Sequence, residues 1–463
     1  MKTQLLALLM ILSISLQAQI SVSGNQSGTW TLANSPYQVT GDITVPTGQV
    51  LTIEAGVQII FQGHYKFTID GQVLANGTDA NPIVFTSTDH TVGWNGIRID
   101  AAPAISVFTY CQFEYGIKSG GSYEEMNGGA IFLKDADAEF LNCTFNDNEA
   151  NGSNNDGMGG AVYAINTGGV NQTLTKFIDC KFERNSTETE GGAVKITNDS
   201  YSEFTRCEFI NNNAGYGGGA LMIYVGDHTS LNNCLFYMNS SNNSGGGAIK
   251  TLQAQSDLYF AHCTFAYNSA YGYAEGGACD FSYADVHFVN SIIYGNSQQY
   301  GTDINVGQGA TCQINYCDLD MPADATGANN LNNVNPLFEN IGQRDFHLQA
   351  GSPCIDAGVD IGLPYNGSAP DMGCYESGTS SIQELKELGI VVYPNPATDF
   401  ITIHNNGNID RVSLTDFSGK LILSTEISST QEKINLTHLK SGFYLIQFYK
   451  AGKNLGSYKL IVK

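Results

Sequence analysis

Five side chains that could contact a sugar recur about one repeat apart along the middle of the chain: Tyr163, Lys195, Tyr224, Lys250 and Asp280. Four of them directly follow a Gly-Gly-Ala-apolar tetrapeptide, and Tyr224 lies two residues further along its segment. Aromatic rings and ammonium groups at such intervals could lie along an extended glycan. We expect these five residues, the outer ladder, to form a ligand face, with an ordinary solvated sheet face as the alternative.

The tetrapeptide that places the outer ladder is part of a longer repeat. Its copies start at Gly128, Gly159, Gly191, Gly218, Gly246 and Gly276. Five of these six units continue into a Cys-x-Phe-x-x-Asn signature. A period near thirty residues indicates a stacked repeat protein, because a unit of that size cannot bury a core alone.

The composition of the repeat favours strands over helices. Short apolar runs are separated by Gly and Asn, and runs of helix-forming residues at helical spacing are missing. We therefore predict an all-β chain, with a right-handed parallel β-helix followed by a small C-terminal β-sandwich. Alternation assigns the apolar residues after Gly-Gly-Ala to the inside and the outer ladder to the outside.

Two further ladders are predicted from the second half of the repeat. The inward cysteines are Cys143, Cys180, Cys207, Cys234 and Cys263, and the asparagines five residues later are Asn148, Asn185, Asn212, Asn239 and Asn268. Parallel strands orient these cysteines poorly for bridging, so they are interpreted as buried thiols. The asparagines are expected at turns with left-handed backbone, where their amides could bond along the axis.

The charge balance bears on partners and metals. The chain has 21 basic and 44 acidic residues, for a net charge of −23, which argues against nucleic acid and anionic membranes as partners. No cofactor is predicted. Ca²⁺ could bind near Asp135, Asp137 and Glu139 or the loop at 151–157, although neither has calcium-loop spacing and a solvated acidic edge is the alternative.

The repeat resembles those of chlamydial polymorphic outer-membrane proteins and, more widely, right-handed parallel β-helices of pectate-lyase-like topology. That resemblance implies fold but leaves function open, because such folds serve as lyases, hydrolases, adhesins and stalks. The polygalacturonase motifs Asn-Thr-Asp, Asp-Asp, His-Gly and Arg-x-Lys do not occur. The cations Lys195, Lys250, Arg184 and Arg206 show no carboxylate cluster beside them in the sequence. We favour noncatalytic adhesion or glycan binding over a polysaccharide lyase or hydrolase, or a structural stalk.

The two ends of the chain differ from the repeats. Residues 1–18 are typical of a secretory signal, and no later stretch is long enough to span a bilayer. The expected order is a signal at 1–18, a cap and first coils at 19–100, repeats at 101–318, a terminal coil at 319–376, a linker at 377–389 and a final module at 390–463. Cys354 and Cys374 are the favoured disulfide, and Cys312 and Cys317 form a weaker pair.

The final module resembles the type A C-terminal sorting domain of the type IX secretion system. The matching segments are Tyr393-Pro394-Asn395-Pro396, Asp416-Phe417-Ser418-Gly419-Lys420, Gly442-Phe443-Tyr444 and Lys459-Leu460-Ile461-Val462-Lys463. The resemblance implies recognition by the type IX machinery, passage through the outer membrane and removal of the domain. The protein would then be secreted or attached to the cell surface, where an extracellular polysaccharide or a host or cell surface could be its partner.

Overall fold

The protein is described from a computed structural model. The described residues are 20–118, 120–152, 156–168, 173–198, 200–225, 229–253, 256–363, 365–377, 389–393, 397–416, 420–440 and 442–462. The predicted signal at 1–18 and most of the predicted linker lie outside them. The chain divides into two compact units at the junction between Asn335 and Pro336.

The first unit is a parallel β-helix in which each regular coil contributes four strands. The first strand of a coil follows the Gly-Gly-Ala segment in the repeat region. The first strands are Phe67–Ile69, Ile97–Asp100, Ile131–Lys134, Val162–Ile165, Val194–Thr197, Leu221–Tyr224, Ile249–Leu252, Cys279–Phe281 and Ile304–Val306. Their inward residues, such as Val194 and Ile196, belong to one continuous core.

The second and third strands complete the walls of that core. The second strands form an 11-stranded sheet: Gly28–Trp30, Val50–Glu54, Gln72–Asn76, Ser106–Thr109, Ala138–Leu141, Thr173–Ile178, Ser200–Thr205, Thr229–Asn232, Ser256–Ala261, Ala284–Val289 and Thr311–Asn315. The third strands are Gln58–Phe61, Ile83–Ser87, Cys111–Glu114, Thr144–Asn146, Lys181–Glu183, Glu208–Ile210, Leu235–Tyr237, Thr264–Ala266, Ile292–Tyr294, Asp318–Leu319 and Leu331–Asn332. Every pairing between successive coils is parallel, for example Phe182 with Phe209.

The fourth strands are short and follow the repeated asparagine. They are Ile117–Lys118, Glu149–Ala150, Ser186–Thr187, Asn213–Ala214, Ser240–Ser241, Ser269–Glu275 and Ser297–Tyr300. The N-terminal strands Ile20–Asn25 and Tyr37–Val45 pair in parallel with each other, and Leu32–Asn34 is a 3-10 helix. The one α-helix in the described part of the chain is Tyr123–Met126.

The glycine pair of each repeat is required by the close approach of successive coils. Gly218 has a φ of 60°, and a Cβ atom there would lie 2.4 Å from the carbonyl oxygen of Leu221. A Cβ atom on Gly219 would lie 2.1 Å from the carbonyl oxygen of Gly247 in the next coil. Both distances are shorter than any real contact, so only glycine fits at these positions.

The repeated Cys and Phe side chains stack inside the β-helix. The rings of Phe145, Phe182 and Phe209 lie parallel, with centroids 4.7 and 4.8 Å apart, which is the distance between successive strands. The Cys207 thiol donates to the carbonyl oxygen of Phe177 at 3.3 Å, and its counterparts repeat this contact. Burial raises the pKa of the Cys143 thiol well above its usual value, which keeps such a thiol protonated and unreactive.

The repeated asparagines are buried and form a hydrogen-bonded chain. Each Nδ2 donates to the Oδ1 of the asparagine in the next coil, as Asn185 does to Asn212 and Asn212 to Asn239, both at 2.9 Å. The expectation that they adopt the left-handed region is wrong. The residue before each takes that conformation instead, such as Asn211 and Met238, both with a φ of 54°. The asparagine itself is needed for its amide rather than for its backbone.

The second unit is antiparallel. Phe338–Asn340 pairs with Asp345–Leu348 around the 3-10 helix Ile341–Gln343. The final module has a three-stranded sheet, Val391–Tyr393, Phe400–His404 and Gln431–Asn435, and a four-stranded sheet, Arg411–Asp416, Leu421–Glu426, Gly442–Lys450 and Lys453–Val462. Apolar residues of both sheets share one core, including Ile403 and Ile446. These seven strands confirm the predicted small β-sandwich.

Candidate functional site

The outer ladder lies in register on the outer face of the first strands. Tyr163 pairs with Lys195, Lys195 with Met222, Met222 with Lys250 and Lys250 with Asp280 in successive coils. Side chains on this face point away from the central core, as alternation predicts. Tyr163, Lys195, Lys250 and Asp280 therefore form one column that Met222 completes, whereas Tyr224 pairs with Thr197 and Leu252.

Three of the five side chains of the outer ladder are buried, so the ladder is not an ordinary solvated sheet face, and the ligand face expected from the sequence stays a prediction. Tyr163 is 0% exposed, Lys195 is 4% exposed and Asp280 is 8% exposed. The segments that lead into each Gly-Gly-Ala cross over these side chains. Met158, for example, packs against Tyr163, and a Cβ atom on Gly217 would lie 2.5 Å from the Lys250 side chain. These segments limit the access of a glycan to the ladder.

Lys195 is held by three partners. Its Nζ lies 2.5 Å from a carboxylate oxygen of Glu190, 3.0 Å from the sulfur of Met158 and 5.4 Å from the ring centre of Tyr224. The Tyr224 hydroxyl donates to the side-chain oxygen of Gln253 at 3.3 Å. Glu190 thus neutralises the charge of Lys195, and Met158 and Tyr224 enclose its ammonium group. This arrangement stabilises the fold and leaves no unpaired charge for a substrate.

Lys250 and Asp280 form the next buried pair. Lys250 Nζ lies 2.9 Å from Asp280 Oδ2 and 2.5 Å from Ser244 Oγ. The second carboxylate oxygen, Asp280 Oδ1, accepts from Asn305 Nδ2 at 2.8 Å. The Lys250 ammonium group and both carboxylate oxygens of Asp280 therefore have partners within the protein.

The other two cations considered from the sequence are also paired. Arg184 makes a bidentate contact with Asp147 at 2.8 and 2.7 Å, and Arg206 makes one with Asp179 at 2.6 and 3.0 Å. Each of these arginines thus has an aspartate partner that the sequence did not indicate. The partners lie one coil away, and residues separated by a whole repeat are not neighbours in the sequence.

A charged network, missed by the sequence reasoning, lies at the N-terminal end of the same face. Arg98 contacts Asp100 at 2.9 Å and Glu124 at 2.6 Å, and Lys134 contacts Glu124 at 3.0 Å. Lys66 contacts Glu125 at 3.3 Å. The hydrogen bond from Arg98 holds the pKa of Glu124 below its usual value. Both glutamates belong to the short helix Tyr123–Met126.

Lys118 is the most perturbed amine beside this network. Burial, together with the charges of Arg98 and Lys66, lowers the pKa of Lys118 to about 7. Its Nζ donates to the carbonyl oxygen of Asn95 at 2.6 Å and to Asn95 Oδ1 at 3.0 Å. Lys118 lies in the two-residue strand Ile117–Lys118, which is too short to show an alternating pattern. The sequence therefore did not predict that this side chain is buried.

Two of the carboxylates proposed as Ca²⁺ ligands accept hydrogen bonds from backbone N–H groups. Asp135 Oδ1 accepts the backbone N–H of Thr167 at 2.6 Å, and Asp137 Oδ1 accepts that of Leu174 at 2.7 Å. Within the described ranges, no group of three or more His, Cys, Asp or Glu side chains is arranged to hold a metal ion. Part of the loop at 151–157 lies outside those ranges.

Cys354 and Cys374 are both buried in the second unit. The N–H of Met372 donates to the carbonyl oxygen of Cys354 at 3.0 Å, which brings the two segments together. The weaker pair, Cys312 and Cys317, also stays a prediction: both side chains are buried, and the Cys317 thiol donates to the carbonyl oxygen of Asn315 at 3.2 Å.

The disulfide between Cys354 and Cys374 stays a prediction with a direct test. In the exported chain we expect one disulfide, which would stabilise the loop between them by about 3 kcal/mol. Alkylation in denaturant without reductant, followed by peptide mass spectrometry, should leave only Cys354 and Cys374 unmodified. Alkylation of both without reductant would contradict the assignment, and Cys207 serves as the internal control for a labelled thiol.

Large exposed tyrosines lie in the fourth strands and in the segments that follow them. Tyr216, Tyr271 and Tyr300 are 49%, 56% and 53% exposed. Tyr271 and Tyr300 belong to the neighbouring fourth strands Ser269–Glu275 and Ser297–Tyr300. Single exposed rings are common on protein surfaces, whereas several that adjoin one another can mark a contact surface.

An exposed amide lies between these tyrosines. Asn243 Nδ2 donates to the carbonyl oxygen of Gly215 at 3.0 Å, next to Tyr216. A Cβ atom on Gly272 would lie 3.2 Å from the Asn243 Cα, next to Tyr271. We call Tyr216, Tyr271, Tyr300 and Asn243 the tyrosine surface. In the sequence, these tyrosines could have been recognised by their position in the Asn- and Gly-rich segments between repeats.

The stacked coils and the final sandwich define a parallel β-helix protein with an appended β-sandwich. Residues 24–246 match the family model of the pectate-lyase-like β-helix domain. Residues 391–463 match that of the secretion system C-terminal sorting domain. Both resemblances inferred from the sequence are thereby confirmed. A search of curated proteins gave no match.

The sorting domain defines the route of the protein. It implies handling by the type IX secretion machinery and export to the cell surface or the extracellular space. In the part of the chain that the structure describes, no helix has the length and apolar character needed to cross a membrane. The segment Pro394-Asn395-Pro396 and residues 417–419 of the matched module lie outside the described residues.

Proposed function

We propose that this exported protein is a noncatalytic binder of extracellular carbohydrate and that the tyrosine surface is its contact site. The observation that carries the proposal is the exposure of Tyr216, Tyr271 and Tyr300 beside the Asn243 amide. Aromatic faces and edges pack on the apolar C–H surface of sugars, and amides bond to their hydroxyl groups. Successive coils are about 4.8 Å apart, so such groups can follow an extended chain.

The charge distribution favours a neutral glycan at this surface. The chain carries a net charge of −23, which repels polyanions from most of its surface. No Lys or Arg is among the residues of the tyrosine surface. The five residues of the outer ladder remain a weaker candidate, since burial and mutual pairing limit their access to a glycan.

The test compares single-residue variants of the exported chain on a panel of immobilised neutral glycans. For the glycan that the native protein binds, Tyr271→Ala and Tyr300→Ala should each weaken binding about tenfold, equivalent to about 1.4 kcal/mol. The matched control is Tyr259→Ala, because Tyr259 is 52% exposed but lies on the second strands. Equal losses in all three variants, or no retention of any glycan, would reject this site; the latter outcome would favour a structural stalk.

A polysaccharide lyase is the second candidate, and Lys118 is the observation in its favour. An amine with a pKa of about 7 can accept a proton at neutral pH. Its burial and its two bonds to Asn95 oppose that role unless the neighbouring helix moves. Appearance of unsaturated products from a uronate polymer, lost in Lys118→Met, would establish the lyase in place of the binder.

A further inference from the structure

A lysine occupies an inward position that small side chains hold in the later coils. Lys118 is 3% exposed and pairs in parallel with Ala150 of the next fourth strand. The residues that continue this column are Thr187, Ala214, Ser241 and Ala270. Burying an amine costs far more than burying any of these side chains, so packing alone does not account for the lysine.

An asparagine replaces a repeat glycine in the same coil. Asn95 lies two residues before Ile97, which pairs with Ile131, and Gly129 lies two residues before Ile131. Asn95 therefore holds the place of the second glycine of the Gly-Gly-Ala segments. The two exceptions to the repeat are in contact, because Lys118 Nζ lies 3.0 Å from Asn95 Oδ1 and 2.6 Å from the backbone oxygen of Asn95.

The backbone fixes the two segments that meet in this contact. The N–H of Trp94 donates to the carbonyl oxygen of Tyr115 at 3.1 Å, and the N–H of Ile117 donates to the carbonyl oxygen of Trp94 at 2.9 Å. The N–H of Asn95 donates to the carbonyl oxygen of Tyr65 at 2.9 Å. The amine and the side-chain amide are thus held side by side, which is the main requirement of an intramolecular reaction.

The amine is also available as a nucleophile. Burial lowers the pKa of Lys118 to about 7, and the charges of Arg98 and Lys66 act in the same direction. A large share of this amine is therefore unprotonated at neutral pH, and only the unprotonated form has a lone pair that can attack a carbonyl carbon. The charge of Glu125 also acts on Lys118, which makes Glu125 the carboxylate available to carry a proton during such an attack.

The helix that carries Glu125 is firmly held. Asn127, directly after the helix, is fully buried, and its Oδ1 accepts the N–H of Met158 at 2.8 Å. Asn127 Nδ2 donates to the carbonyl oxygen of Tyr123 at 2.7 Å. Asn95, by contrast, is only half-buried, so a small group released from its side chain has a path to solvent.

We propose that Lys118 and Asn95 form an isopeptide cross-link that closes this coil into a covalent ring. The Nζ lone pair attacks Asn95 Cγ and forms a new C–N bond. Glu125 accepts a proton from Nζ and delivers it to Asn95 Nδ2, the Cγ–Nδ2 bond breaks and one ammonia leaves. No oxidant or reductant is needed. The product is a neutral secondary amide, so the cross-link also removes the cost of burying a charged lysine.

The cross-link stands apart from the binding of glycans. A linked Lys118 has no free amine, so the cross-link and the lyase candidate exclude each other, whereas glycan binding at the tyrosine surface is independent of both. Closing the coil at 95–118 removes conformational entropy from the unfolded chain, as a disulfide does. The ring would lie where the first coils meet the regular repeats.

The test is the intact mass of the native full chain under reducing conditions, followed by tandem mass spectrometry of its proteolytic fragments. We expect the chain to be lighter by one ammonia than its sequence and termini require, and we expect one branched fragment that joins Asn95 to Lys118. Lys118→Met and Asn95→Ala should each restore the full mass. The matched control is Lys195→Met, because Lys195 is a buried lysine paired with Glu190, and it should keep the lower mass.

Two results would overturn the cross-link. One is a native chain of full mass, a result that does not depend on the folding of any variant. The other is a loss of ammonia that persists in Lys118→Met, which would show cyclisation of Asn95 onto the backbone of Gly96 instead of attack by the lysine. If Lys118→Met does not fold, Lys118→Arg keeps a cation without a nucleophilic amine, and it should also have the full mass.

The role of Glu125 has its own measurement. Glu125→Gln cannot relay the proton, so most of the freshly refolded variant should remain unlinked at a time when the native chain is fully linked. Equal linkage of the two proteins at that time would overturn the role given to Glu125.

Discussion

Replacing Asn212 by alanine should lower the free energy of unfolding by about 3–5 kcal/mol, because several buried polar groups lose their partners at once. The Asn212 amide donates to Asn239 Oδ1 and to the carbonyl oxygen of Phe182, both at 2.9 Å. Its Oδ1 accepts from the backbone N–H and the Nδ2 of Asn185, at 3.0 and 2.9 Å. Alanine can replace none of these bonds, and the position is fully buried.

The measurement is urea unfolding of the native and variant proteins, followed by circular dichroism. Asn242→Ala is the matched control, since Asn242 is an exposed asparagine in the next coil with a bond to Asn213, and it should cost under about 0.5 kcal/mol. Equal costs for the two variants would show that the axial amide chain contributes little. In a repeat protein the loss should also appear as a separate transition if the coils on either side unfold independently.

Asp280→Ala should be nearly as damaging, with an expected loss of about 3 kcal/mol, because it leaves the ammonium group of Lys250 buried without its counterion. The side chains of Lys250 and Asp280 are only 13% and 12% exposed. Removal also strands the Asn305 amide, which donates to Asp280 Oδ1. Thermal and urea unfolding measure the change.

The double variant Lys250→Met/Asp280→Leu tests whether the unpaired charge of Lys250 causes this loss of stability. Apolar side chains of similar volume often replace a buried ion pair at little cost, so the double variant should recover most of the stability that Asp280→Ala loses. Asp285→Ala in the same coil is the control, because the Asp285 side chain is 53% exposed. A double variant no more stable than Asp280→Ala would mean that packing around Asp280, rather than charge, is what matters.

The interior of the β-helix could be predicted from the sequence because its periodicity is strict. Cys207 and Phe209 recur with the same spacing in neighbouring units, and alternation alone turns them inward. The glycine pairs likewise follow from how closely the coils approach. In each case a residue packs against the residue at the same position of the next repeat. The repeat pattern therefore shows both partners of the contact.

The outside could not be predicted in the same way. Alternation states which side of a sheet Lys195 lies on, but it does not state what covers that side. The cover comes from the segments between repeats, which differ in length and sequence. Met158, Glu190 and Gly217 hold the same place before successive Gly-Gly-Ala segments, but their residue types differ from coil to coil. The buried ion pairs and Lys118 depend on these irregular segments.

The column of cysteines gives the molecule one sulfhydryl reporter in each of six successive coils, from Cys111 to Cys263. A reagent that modifies thiols reaches a given sulfur only when that coil opens, so the order in which Cys143, Cys207 and Cys263 react would record whether the rod frays from its tips or breaks in its middle. The same chemistry makes premature opening hazardous during export, since exposed sulfhydryls cross-link in an oxidising compartment. Folding speed, and not only final stability, is then what protects the β-helix on its way out of the cell.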